Sequence, residues 1–139
     1  MSGNSAWILF ENNEVFYKGS SISFHFPNDE SCGNWKQFKL WEKKEDEEKI
    51  IDIAVGNGFT LFLTENQKLW AIGELFLEKI DNSSQNPVEI SSKFPQGMTC
   101  KRLWANNSAN RQVAFVELVN AEGMAKIYSA GQSDLGLLG

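Results

Sequence analysis

A short hairpin pattern that closes on glycine occurs three times in this chain, and the recurrence restricts the fold more than any other feature. Ala6-Trp7-Ile8-Leu9-Phe10 leads through Glu11-Asn12-Asn13 to Glu14-Val15-Phe16-Tyr17-Lys18 and closes on Gly19. Phe59, Leu61 and Leu63 recur at period two, a polar turn follows at Thr64-Glu65-Asn66-Gln67, and Leu69-Trp70-Ala71-Ile72 closes on Gly73. Residues 112–118 then lead through the longer turn Asn120-Ala121-Glu122-Gly123 to 125–130, closed by Gly131. Period-two apolar spacing bounded by Gly and Asn is the mark of antiparallel strands, not of helix. A recurrence roughly every 55 residues means a repeat array in which each unit is one supersecondary piece. The fold class is all-β.

The fullest copy is 50–73. Ile51, Ile53 and Val55 alternate with Asp52 and Ala54, Gly56-Asn57-Gly58 breaks the run, and the hairpin follows. Cys100-Lys101-Arg102-Leu103-Trp104-Ala105 is the counterpart of 50–55, with the stretch from Asn106 to Asn110 in place of the tight glycine turn. The units are expected at about 6–19, 37–73 and 88–131, with 132–139 opening the next. In this division 37–41 is the outer strand of the second unit, and the first hairpin lacks the two strands that should precede it. Pro87 starts Val88-Glu89-Ile90, placed at a sheet edge because proline cannot donate to a ladder.

At 139 residues the chain fits a single domain, and 42% apolar content with five Trp and ten Phe belongs to a folded protein. A net charge of −5 weighs against binding a phosphate backbone. No apolar run is long enough to span a bilayer as a helix. The start, MSGNSAWILF, lacks the basic and apolar regions of a secretory signal. Cys32 and Cys100 are isolated, with no CxxC spacing, and read as reduced thiols of a cytoplasmic or nuclear protein.

Chemistry is sparse. His25, the one histidine, sits between Phe24 and Phe26, a setting that reads as an aromatic loop rather than a base or ligand. No His or Cys lies at metal-binding spacing, and Gly56-Asn57-Gly58 lacks the third glycine and following helix of a nucleotide loop. No enzyme activity, cofactor or metal is expected. Residues 42–49 are eight consecutive charges, read as a solvated loop tip. Trp7, Trp70 and Trp104 fall on strands and read as core. Trp35 and Trp41, beside that run, are the candidate partner contacts, together with Asp134 in the glycine-rich terminal loop, whose default role is capping that loop's own amides.

That loop, Gly131-Gln132-Ser133-Asp134-Leu135-Gly136-Leu137-Leu138-Gly139, resembles the G-x-N-x-x-G-Q-L-G signal of the regulator of chromosome condensation repeat. Residues 53–64 resemble that family's V-A-x-G-x-x-H-T-x-A-L-T, with Phe59 in place of the histidine. Residues 69–73 and 127–131 resemble its V-Y-x-W-G. WD and kelch repeats fit less well, the first wanting Gly-His and Trp-Asp and the second paired glycines. The resemblance implies a β-propeller of four-stranded blades, of which this chain holds about two and a half. Blades cover their apolar faces with their neighbours. The missing blades are therefore expected from a longer polypeptide or a second chain; the stop at Gly139, inside a motif, favours the longer polypeptide. The resemblance further implies a non-enzymatic module that docks protein partners, often within a larger scaffold or ubiquitin-pathway ligase. Two alternatives are guanine-nucleotide exchange on a small GTPase and a structural subunit completed by neighbouring chains.

Overall fold

A computed structural model describes residues 5–19, 33–56, 59–73, 87–106 and 113–131. These form ten strands in three antiparallel sheets. The first is β1 (Ser5–Leu9), β2 (Val15–Gly19) and β3 (Lys36–Phe38), in that order. The second is β4 (Ile50–Val55), β5 (Phe59–Thr64), β6 (Leu69–Gly73) and β7 (Val88–Glu89). The third is β8 (Thr99–Asn106), β9 (Val113–Val119) and β10 (Ala125–Gly131). The repeat read from the sequence is thus an antiparallel meander, a partial β-propeller. Among the described residues no helix is long and apolar enough to cross a membrane.

Two strands join a different sheet from the one expected. The sequence pattern places residues 37–41 at the start of the second unit, yet β3 pairs with β2 through Val15↔Phe38 and closes the first sheet. Likewise 88–90 opens nothing: β7 pairs with β6 through Ala71↔Val88, and the Ile90 N–H donates to the Leu69 carbonyl at 2.8 Å. Alternation along a strand shows which side chains share a face but not which neighbour the strand adds to. The first sheet therefore lacks the counterpart of β4, and the third lacks the counterpart of β7 among the described residues.

The three hairpins share one turn geometry. Asn13, Gln67 and Gly123 all adopt positive φ, at 69°, 62° and 83°. In each turn that residue's N–H donates to the carbonyl three positions back, Phe10, Thr64 or Asn120. This is a three-residue loop with one left-handed position, which Gly and Asn tolerate best. The strands β4 and β8 also share a bulge: register slips between Ile50 and Asp52 and again between Cys100 and Arg102. The extra residues, Ile51 and Lys101, point to solvent.

The sheets stack face to face, with β4 beside both β1 and β8. At the first junction Trp7, Tyr17 and Phe38 meet Phe62 and Trp70. At the second, Leu61, Leu63, Leu69 and Ile90 meet Leu103 and Leu118. The sequence FTLFLT reads as a strand with one buried face, but all six residues of β5 are buried because a sheet covers each side. Burying each leucine in it contributes about 1.5–3 kcal/mol. The outward faces of the first and third sheets have no such cover among the described residues. Ile8 and Phe10 are exposed on one, Trp104, Phe115 and Ile127 on the other. Trp104 is thus a correction: it occupies the position of Ala54, but it is 43% exposed instead of core.

Candidate interaction surface

At one end of the stack the three hairpin turns meet the connections that enter β4 and β8. The end is built around Asn13. Its carboxamide accepts the Ile50 N–H at 2.8 Å and donates to the Glu48 carbonyl at 2.9 Å and to Glu47 Oε1 at 3.1 Å. The left-handed conformation of Asn13 aims that side chain away from its own hairpin and onto the next sheet. A single amide thereby ties the first sheet's turn to the first residue of β4.

The charged run is partly as expected. Residues 42–47 and 49 are exposed, and a single 3-10 turn forms at Lys44–Asp46. Glu48 departs from the solvated-tip reading. It is half-buried and holds the Lys68 ammonium at 3.0 Å. Burial pushes its carboxyl up, but hydrogen bonds with Thr64, Lys68 and Asn66 and the Lys68 charge outweigh that and hold it below the usual range. The Glu65 N–H donates to the Lys49 carbonyl at 2.8 Å, so the run is also stitched to the second turn.

Between the first hairpin turn and this run lies a cleft of about 410 Å³, within the range of ligand sites. Asn12, Glu14, Lys39, Trp41, Lys44 and Glu47 contribute to its lining, which mixes both charge signs with one indole edge. The three candidate contacts separate here. Trp41 lines the cleft, yet it is half-buried, edge-on to Trp70 at 6.1 Å and packed on the first junction. Trp35 does not line it; it is 42% exposed and carries the Lys18 ammonium 4.9 Å from its ring centroid. Asp134 lies outside the described residues, as do His25 and Cys32.

Cys100 is a buried thiol, pushed up to about 11 chiefly by burial. It is a core residue at the position of Ile50, where burial disfavours the thiolate. Sequence reasoning missed Asn13, although the turns E-N-N, E-N-Q and A-E-G each place their left-handed residue at the same point. Among the described residues no cluster of His, Cys, Asp or Glu could hold a metal ion.

No protein-family model matches the chain, and no curated protein matches it. Solved structures do. Prp20p of Saccharomyces cerevisiae aligns over 99% of this chain and 32% of its own, with a TM-score of 0.68 and 14% identity. Yeast RCC1 (Prp20) bound to Kap60 aligns over 91% of this chain and 30% of its own, at TM-score 0.62 and 16% identity. Human WBSCR16 aligns over 95% of this chain and 33% of its own, at TM-score 0.62 and 12% identity. The chain spans about a third of the length of each. Its three stacked meanders thus have the fold of part of an RCC1-like β-propeller.

Proposed function

We propose that this chain is a non-enzymatic protein-docking part of a propeller scaffold, and that partners engage the turn end of the stack. The observation that supports this is the 410 Å³ mixed-charge cleft, set on a rigid frame by the Asn13 clamp. Rigid elements presenting exposed loops are where binding residues concentrate. The lining holds the carboxylates of Glu14, Glu42 and Glu47 beside Lys39 and Lys44, a slight acidic balance that suits a partner segment carrying Lys or Arg.

The test is site-specific photo-crosslinking in cells, with the probe at Lys44 in the run and, as a control, at Lys126 on β10. Partners caught only from Lys44 are purified and their affinity measured against wild type and Asp46→Lys/Glu47→Lys. Loss of about tenfold or more is expected for a charge reversal at a docking rim. Unchanged affinity overturns the assignment of this end.

A second reading, nucleotide exchange on a small GTPase, is favoured by one likeness: the Prp20p structure is described with its binding properties to Gsp1p and histones. Release of a fluorescent guanine nucleotide from Gsp1p, with and without this chain, decides it. Acceleration of release by the chain, or by the complete propeller that holds it, would overturn the purely docking reading, and an unchanged rate with the complete propeller removes the exchange one.

A further inference from the structure

The repeat supplies its own reference: the two sheet junctions can be compared position by position. Register pairs place Ile90 where Phe38 stands in the first junction, Val116 where Phe62 stands, and Tyr128 where Trp70 stands. The same registers place Leu61 at the position of Trp7 and Ala71 at that of Tyr17. In the first junction Phe38 stacks on Phe62 with centroids 5.3 Å apart, and Trp7 meets both rings edge-on. Trp41, three residues beyond Phe38, closes the side by packing edge-on against Trp70. Three residues beyond Ile90 the chain has Lys93, exposed, on the short 3-10 turn Ser91–Lys93.

Replacing that aromatic set by Ile, Val, Leu and Ala removes several ring volumes, which Phe94 and Tyr128, the two rings lining the same space, do not fill. What results is an apolar cleft of about 150 Å³ between the second and third sheets. Leu61, Leu69, Ile90 and Leu118, all buried, line it, with the half-buried Phe94 and the exposed Lys93 and Tyr128. An enclosed apolar cavity of about that volume holds a benzene ring, so this open cleft has room for one phenyl group.

We propose that this cleft is a binding site for the phenyl side chain of a partner peptide with an acidic residue next to its phenylalanine. The ring takes the place that Phe62 and its partners fill at the first junction. The neighbouring carboxylate meets the Lys93 ammonium at the mouth, the charged group within the cleft's lining. This inference concerns a different surface from the turn-end cleft and does not rest on the docking reading given above.

The test uses the full 139-residue chain, isotope-labelled for NMR, titrated with three blocked dipeptides: N-acetyl-Phe-Asp-amide, N-acetyl-Phe-Lys-amide and N-acetyl-Ala-Asp-amide. The Phe-Asp peptide is expected to shift the amides of Val116, Leu118 and Tyr128, and the Ala-Asp peptide is expected to leave them in place. Lys93→Gln should weaken the Phe-Asp peptide about threefold and leave the Phe-Lys peptide no weaker, the scale of one exposed ion pair. Val116→Phe restores the first junction's residue and should abolish the shifts while keeping the fold. Should that variant unfold, Lys93→Trp, an exposed change that mimics Trp41, blocks the mouth without entering the core and is expected to abolish them too. Binding that survives Lys93→Trp, shifts confined to other residues, or equal affinity for the Phe-Lys peptide would each overturn the proposal.

Discussion

The Asn13 carboxamide accepts the Ile50 N–H at 2.8 Å across a separation of 37 residues, joining a hairpin turn of one sheet to the first strand of the next. Two demands meet in that residue: it occupies left-handed backbone at φ 69°, and its side chain supplies both an acceptor and a donor. Asn13→Ala loses both and should destabilise the chain by about 2–3 kcal/mol, from left-handed strain plus lost hydrogen bonds. Asn13→Gly keeps the turn and loses only the clamp, so it should cost about 1 kcal/mol less. Urea unfolding of wild type and the two variants checks this; equal losses in the two would mean the left-handed strain contributes nothing, and an Asn13→Gly chain as stable as wild type would mean the clamp contributes nothing.

Glu48 and Lys68 make stability depend on pH in a defined sense. The Glu48 carboxyl is held below its ordinary value, so its contribution is present above the unfolded value and lost as pH falls through the folded one. The Lys68 ammonium is raised, chiefly by its hydrogen bond to Glu48, so its contribution is present below the ordinary 10.5 and lost as pH rises beyond it. The stability difference between wild type and Glu48→Gln should therefore be flat between roughly pH 5 and pH 10 and shrink on both sides. Thermal melts extended below and above that range measure it, and a difference that grows in acid would reverse the assignment.

Gly56 is buried, and its N–H donates to the Phe59 carbonyl at 2.9 Å. A Cβ there would overlap the Phe59 ring, which is wholly buried and has nowhere to move. Gly56→Ala should cost about 1–3 kcal/mol by overpacking, and Gly56→Ala/Phe59→Leu should recover part of that loss. Denaturation of the single and double variants tests the coupling.

Cys100 should resist modification until the chain unfolds. Moving the thiol from 9.0 to about 11 lowers the thiolate population roughly 100-fold, before burial limits access. In a Cys32→Ser background, labelling by a disulfide reagent at about pH 8 should be slower than in urea by that factor or more. Rapid labelling of the native protein would show that the second junction opens.

The outward face of the third sheet carries Trp104, Phe115 and Ile127, whose counterparts Ala54, Leu61 and Leu69 in the second sheet are covered by the next sheet. Exposed apolar faces of this kind drive association. The 139-residue chain should self-associate as its concentration rises, and Ile127→Lys, at 68% exposure, should shift it toward monomer without loss of melting temperature. Sedimentation velocity of both proteins provides the readout.

What the sequence determined by itself was the local grammar: strands where apolar residues alternate, hairpins where an acidic-Asn or Glu-Gly turn lies between them, and glycines closing each unit. Hairpin neighbours are a few residues apart, so their pairing is written in the residues that form them. The tertiary structure decided which sheet the short strands at 36–38 and 88–89 complete, because that pairing spans connections whose composition carries no register. It also decided that Asn13 holds two sheets together, that Trp41 is half-buried while Trp104 is exposed, and that stacked and edge-on rings fill one junction while the other keeps a cleft. Those outcomes depend on which face meets which neighbour. A period-two pattern defines two faces of a strand but cannot name what lies across from either.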